Sequence, residues 1–286
     1  MEQKKQYQLI NITVLLFTLG LFTFIYWRKR VDWHNFSTLI ILIMLLTIIL
    51  VHSIKVFRLY FILYEKKISF IEHLKQYCKV IPVSMIVPFK LGELFRMYCY
   101  GYQIGNFFDG IIVILVDRFA DTLGLVTMIL FISIVNHSQF PLIFYILLAF
   151  LVTIIICYLI FPGMYFYWKH NLLKAKASRQ KNDMLLLLEK LQTAYLELSI
   201  LIKGRCSILY LLSLIAWGVE VGGLFICNKI LQGSETIYFV SEYLTSALLG
   251  RESDDLKLVV LVSILFLLLF YLTVYSIGAF VRKEAN

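Results

Sequence analysis

Apolar residues gather along this chain into long runs: Tyr7–Trp27, Phe36–His52 with a continuation toward Phe61, Ile111–Val135, Pro141–Phe161, Ile208–Leu231 and Leu256–Phe280. A helix rising about 1.5 Å per residue needs about 20 residues to cross a hydrocarbon core of about 30 Å, so each run predicts a transmembrane helix. The first run is longer than the apolar part of a signal peptide, and no small-residue cleavage site follows it, so it reads as a span. Six crossings place both termini on one side. The predicted fold is therefore all-α, a polytopic helix bundle forming a single integral membrane domain over residues 1–286.

One stretch, residues 68–108, fits neither a span nor a loop. Phe70, Ile71, Leu74, Tyr77, Cys78 and Ile81 share one helical face, and Pro82 is expected to end that helix, because proline lacks an N–H and clashes with the preceding turn. Pro88 follows, and a second helix is expected to begin near Leu91. The apolar core from Val80 to Phe89 is about half the length of a crossing, which predicts a re-entrant hairpin broken at the prolines. Broken backbone at membrane depth is tolerated where protein or trapped water satisfies it, and half-helix N-termini attract anions.

Composition agrees with the pattern. Sixty per cent of the residues are apolar and 16% are charged, against roughly a quarter charged in soluble chains. The net charge of +9 lies mostly in the gaps between runs, which suits headgroups and excludes a nucleic-acid partner. Scattered cysteines (Cys78, Cys99, Cys157, Cys206, Cys227) and histidines (His34, His52, His73, His137, His170) have no metal-ligand spacing, so no metal and no cofactor are expected.

Basic residues also orient the chain. Residues 165–206 carry Lys169, Lys174, Lys176, Arg179, Lys181, Lys190, Lys203 and Arg205, whereas the Asn136–Gln139 and Gln232–Glu235 turns carry no Lys or Arg. The positive-inside bias puts that segment and both termini in the cytoplasm, with Arg28-Lys29-Arg30 and Arg251/Lys257 as exceptions. Within it, Leu185, Leu188, Leu191, Tyr195 and Leu198 form an amphipathic face for the membrane surface, the bundle or a partner enzyme.

The chemistry lies in charges that should be buried in lipid. Asp117, Arg118 and Asp121 interrupt the Ile111–Val135 run on one helical face, with Gly124 making room for a neighbour. Counted from Asp109, Asp117 lies roughly 12 Å deep and Asp121 roughly 18 Å. A lone charge there costs on the order of 3 kcal/mol. Lys90, Glu93 and Arg96 supply two positive charges and one negative against one positive and two negative, so the hairpin and the span should meet and neutralise each other. Such a cluster reads either as ion pairs that hold the hairpin or as a cavity in which Lys90, Arg96 and Arg118 face a lipid phosphate. Apolar packing would hold a hairpin more cheaply, which favours the second reading. In the fifth run, Gly218-x-x-x-Gly222 would permit close helix approach, Glu220 lies near mid-membrane as a protonated acid or a partner of those cations, and Trp217 reads as a packing or interfacial aromatic.

Together Arg58, Pro88-x-Lys90-x-Gly92-Glu93-x-x-Arg96, Asp117-Arg118-x-x-Asp121 and Trp217-x-x-Glu220 resemble the transmembrane region of lysylphosphatidylglycerol synthases, whose stand-alone relatives are flippase-like domain proteins. The resemblance covers about residues 50 to 230. It implies a multi-pass protein of the prokaryotic inner membrane, with re-entrant helices, that moves a lipid or lipid-linked saccharide between leaflets. It adds Arg58, Trp217 and Glu220 to the candidate site. Asp117 stands where the family usually has Glu, and the family's late Pro-Gly-Gly-x-Gly-x-x-Glu turn is echoed only by Gly250-Arg251-Glu252. No aminoacyl-transfer domain follows the last span, so lysyl transfer is not expected.

The leading functional reading is a non-enzymatic lipid translocase whose headgroup site is Lys90, Glu93, Arg96, Asp117, Arg118 and Asp121. Two others stand beside it: a glycosyltransferase using a polyprenyl-phosphate sugar with Asp117 or Asp121 as base or metal ligand, and a scaffold that recruits a synthase or glycosyltransferase through Met184–Leu201. Homo-oligomerisation is left open.

Overall fold

The computed structural model describes residues 2–28, 38–87, 91–135, 137, 139–174, 176, 178–230 and 262–273, and among them there is no strand. The helices are α1 (Glu2–Arg28), α2 (Thr38–Leu63), α3 (Phe70–Ile86), α4 (Leu91–Ile104), α5 (Phe107–Val135), α6 (Leu142–Lys174) and α7 (Arg179–Ile230), followed by α8 (Val262–Thr273). α1, α2, α5, α6 and α7 are long and apolar enough to cross a bilayer. Of the sixth expected crossing only α8 is described, and it is too short to span by itself. The Gly250-Arg251-Glu252 echo lies outside the described residues.

Between α2 and α5 the chain makes the expected detour, α3 in and α4 back. His73 near the start of α3 meets Tyr100 near the end of α4, while Ser84 near the end of α3 abuts Gly92 at the start of α4. Two helices that meet start to end and end to start are antiparallel, so α2 ends and α5 begins at the same end of the bundle. Lys66, just past α2, ties that end together by pairing with Asp109 of α5 and Glu197 of α7. The start of α1 is there too, its Tyr7 stacked on Tyr102.

Pro82 does not end α3, contrary to expectation. The helix runs through it to Ile86, and Pro82 is buried. The stop comes at Val87, which is extended (φ −76°, ψ 120°) immediately before Pro88. That conformation is the one proline imposes on its predecessor, so the breaker is Pro88. At the other end, Ser69 Oγ accepts a hydrogen bond from the Glu72 N–H at 3.3 Å, in a Ser-x-x-Glu arrangement. Ser69→Ala is expected to destabilise the protein by about 1 kcal/mol in detergent unfolding, because one first-turn N–H loses its acceptor.

The core cluster runs from α2 (Val56, Leu59, Ile62) through the hairpin (Tyr77, Val80, Cys99, Tyr100) to α5 (Val113, Ile114). The hairpin is thus wedged into the bundle rather than laid on its surface. Fully buried His73 fastens it, with Nε2 3.1 Å from the Val56 carbonyl oxygen and Nδ1 3.3 Å from the Tyr100 hydroxyl.

The amphipathic segment is continuous with the fifth apolar run: α7 passes unbroken from Arg179 to Ile230. Its 52 residues make a helix of about 78 Å, far longer than a hydrocarbon core. α6 accompanies it, with Tyr158 hydrogen-bonded to Ser199 at 2.7 Å and Tyr195 packed on both Tyr158 and Phe161.

Candidate functional site

The site is assembled from α2, α4, α5 and α7, and glycines bring these helices close, among them Gly110 of α5 against Gly101 of α4. Gly92 lies against the backbone of Val83 and Ser84, leaving no space for a Cβ, so α4 starts directly against the end of α3. Gly124 leaves room for α7, since a Cβ there would come within 2.9 Å of Ser213 Cβ. Gly218 and Gly222, the pair expected to make the close approach, face open space; Gly223 makes it instead, against Thr47.

Asp117, 1% exposed, is the hub. Its Oδ1 accepts from Arg58 Nε at 2.9 Å, and its Oδ2 accepts from Arg96 Nη2 at 2.8 Å. Both guanidinium groups are buried, and both carboxylate oxygens are used. Arg58 Nη1 reaches further, donating to Asp121 Oδ1 at 2.6 Å and to Ser213 Oγ at 2.9 Å. Ser213 Oγ in turn donates to the Leu209 carbonyl. Charge-assisted bonds of this kind are the form in which a buried charge is tolerated.

From this buried hub the network opens outward. Glu93 holds Arg118 through two bonds, Oε2 to Nε and Oε1 to Nη2, each at 3.1 Å, and lies 3.5 Å from Arg96 Nη1. Arg118 also approaches Asp121 Oδ2 at 3.6 Å. The Arg118 side chain is 33% exposed, against 2% for Arg58 and Arg96. Glu93 therefore sits between a sealed guanidinium and an open one.

A second arm runs along α7. Lys55 Nζ pairs with Glu220 at 3.1 Å and lies 5.3 Å from the centre of the Trp217 ring, while the Trp217 indole N–H donates to the Asp121 carbonyl at 3.1 Å. Trp217 is buried and also packs in the apolar cluster with Leu125 and Leu224, so its ring is a packing element whose N–H reads the charged helix. Glu220 finds its cation in Lys55, which was not among those expected for it.

The structure thus joins Glu93, Arg96, Asp117, Arg118 and Asp121 with Arg58, and links Trp217 and Glu220 to them. Lys90 lies outside the described residues. Lys55 and Ser213 were missed. An apolar run holding Lys55 three residues before Arg58 carried the signal for the first; nothing in the sequence marked the serine. Lys55, Arg58, Arg96 and Arg118 balance Glu93, Asp117, Asp121 and Glu220, so the assembly is formally neutral. Arg96 Nε, although buried, has no hydrogen-bond partner among the described residues. Among the described residues no three His, Cys, Asp or Glu side chains converge to hold a metal ion.

Comparison with curated proteins gives no match, and neither does comparison with solved structures. The family model for the lysylphosphatidylglycerol synthase TM region matches residues 8–251, most of the chain and all of the charged network, and the protein belongs to that family.

Proposed function

We propose that this protein moves an anionic lipid, or a saccharide linked to a lipid phosphate, between membrane leaflets, with the headgroup bound at the open end of the charged network. One observation carries the reading: buried, mutually neutralised charges grade from a sealed hub at Asp117 to a half-open Arg118. Apolar side chains would hold α4 against α5 at lower cost than desolvated ions. A phosphate arriving at Arg118 would compete with Glu93 for the same guanidinium, and Arg96 is the next cation inward. Asp117 and Arg58 keep the interior neutral while the headgroup exchanges partners.

The reaction needs no covalent step, and the protein is proposed to act without catalysing one. The orientation follows from charge. The end bearing Lys169, Lys174, Arg179, Lys181, Lys190, Lys203 and Arg205 is assigned to the cytoplasm, which places the start of α1 there as well. The membrane is assigned as a prokaryotic inner membrane.

The test is reconstitution into vesicles carrying fluorescent phosphatidylglycerol, phosphatidylcholine or a polyprenyl-phosphate sugar, with accessibility of the label followed in time. Arg118→Gln is expected to slow movement of the anionic lipids about tenfold or more, the loss of one strong charge-assisted contact, while leaving folding intact. Unchanged rates in Arg118→Gln and Glu93→Gln would remove the network from the pathway. Sugar transfer by the purified protein, abolished by Asp121→Asn, would replace transport with glycosyl transfer.

A further inference from the structure

One arrangement of side chains occurs twice in this bundle. At the hub, Arg58 of α2 bonds to Asp117 of α5 and to Ser213 of α7. At the end assigned to the cytoplasm, Lys66, just past α2, pairs with Asp109 of α5 and, at 2.9 Å, with Glu197 of α7. A cation from the α2 side thus bridges the same two helices in two layers. From Asp109 to Asp117 is two helical turns, about 12 Å.

Side chains four residues apart share one face of a helix. Between the layers that spacing places Ile62 on α2, Val113 on α5, and Leu201 and Leu209 on α7. They are 1%, 1%, 7% and 2% exposed and belong to one buried cluster. Apolar side chains therefore fill the space between this end and Asp117.

The two layers are held differently. Arg58 is 2% exposed, whereas the Lys66 side chain is 22% exposed, with Asp109 at 12% and Glu197 at 33%. Here one ammonium holds two carboxylates. Asp109 also accepts from Asn106 Nδ2 at 2.8 Å, and Arg205 of α7 donates to the Phe61 carbonyl at 2.8 Å and pairs with Glu65. Ion pairs that water reaches are weak, and two carboxylates repel once the cation between them leaves.

We propose that this end is the gate by which a headgroup passes between the cytoplasmic side and the network. Lys66 is its latch, and Ile62, Val113, Leu201 and Leu209 are its plug. The conformation described here is the closed one. Release of Glu197 by Lys66 frees α7 from the ends of α2 and α5, and the apolar layer parts onto Arg58 and Asp117. The proposal rests on the network being a headgroup site, and its test separates the two.

The full chain carrying Val113→Cys, in lipid nanodiscs, is treated with a water-soluble maleimide, and modification at that position is followed by peptide mass spectrometry. With Lys66 in place the thiol is expected to react slowly. Lys66→Met should speed the reaction about tenfold, as the closed population falls, and Lys66→Arg, which keeps the bridge, should return it to near the parent rate. A second measurement stands should Lys66→Met fold poorly. In vesicles, and with Cys157→Ser and Cys206→Ser, the pair Lys66→Cys and Glu197→Cys is joined by a reducible bismaleimide. Lipid movement is expected to fall about tenfold or more on joining and to recover on reduction. Equal labelling in Lys66→Met and parent overturns the gate. So does unchanged lipid movement in the joined protein, which leaves the network reading standing. Absence of lipid movement in the parent overturns the network reading itself, and the gate with it.

Discussion

Asp117→Asn is expected to destabilise the protein by about 3–5 kcal/mol, the largest effect of any single change at the site, because it leaves two buried guanidinium groups facing a neutral amide. Arg58 keeps Asp121, and Arg96 keeps only Glu93 at 3.5 Å. Arg96 is the group left short, at 1% exposure. Thermal unfolding in detergent measures the loss. A double variant separates stability from function: Arg96→Met with Asp117→Leu removes both charges of the sealed pair at similar volume. Stability is expected to return to within about 2 kcal/mol of the parent, since apolar replacement of a buried pair is often neutral. Lipid movement is expected to stay lost. A double variant that folds well and still transports would show that the hub is only structural.

Gly92→Ala is the second large effect. An added Cβ would collide with Ser84 and Val83 main-chain atoms, which are not flexible side-chain ends. The α3–α4 hairpin must then open at its turn, which would pull Glu93 and Arg96 off α5. Overpacking of this kind costs about 1–3 kcal/mol, and the upper end is expected here because the obstructing atoms are helical main chain, which cannot swing aside. Gly222→Ala supplies the contrast. Its Cβ meets nothing within 4 Å, and alanine in a helix is favoured over glycine by about 0.5–1 kcal/mol, so this variant should gain stability. Unfolding midpoints of the pair decide the matter; equal shifts would show that backbone proximity at Gly92 is not limiting.

Much of this architecture was legible because lipid leaves so few solutions to the backbone. Apolar runs long enough to cross a bilayer became α1, α2, α5, α6 and the second half of α7. Charges within such runs are costly enough to announce themselves, which is why Glu93, Arg96, Asp117, Arg118 and Asp121 could be named in advance. Partners were harder. Arg58 entered through resemblance and Lys55 not at all, because the phase of α2 relative to α5 and α7 depends on contacts far apart in sequence, such as Gly124 with Ser213. Pro82 misled because a proline inside a helix removes one hydrogen bond without necessarily ending it, here with its ring packed in the core, whereas Pro88 acts through the conformation of Val87. The boundary expected near residue 206 marked a change in composition, from amphipathic to uniformly apolar. Helical hydrogen bonding continues across such a change, and Gly204, facing open space, does not interrupt it.

That continuity has a mechanical consequence. Contacts fasten α7 at Tyr195, Glu197, Ser199, Ser213, Glu220 and Gly223, and the helix continues from Glu197 back to Arg179 as an arm of about 27 Å. Bent by about 10° at Glu197, that arm would carry its tip through about 5 Å. A load on the tip would be returned through Glu197 to Lys66 and Asp109, where α2 ends and α5 begins.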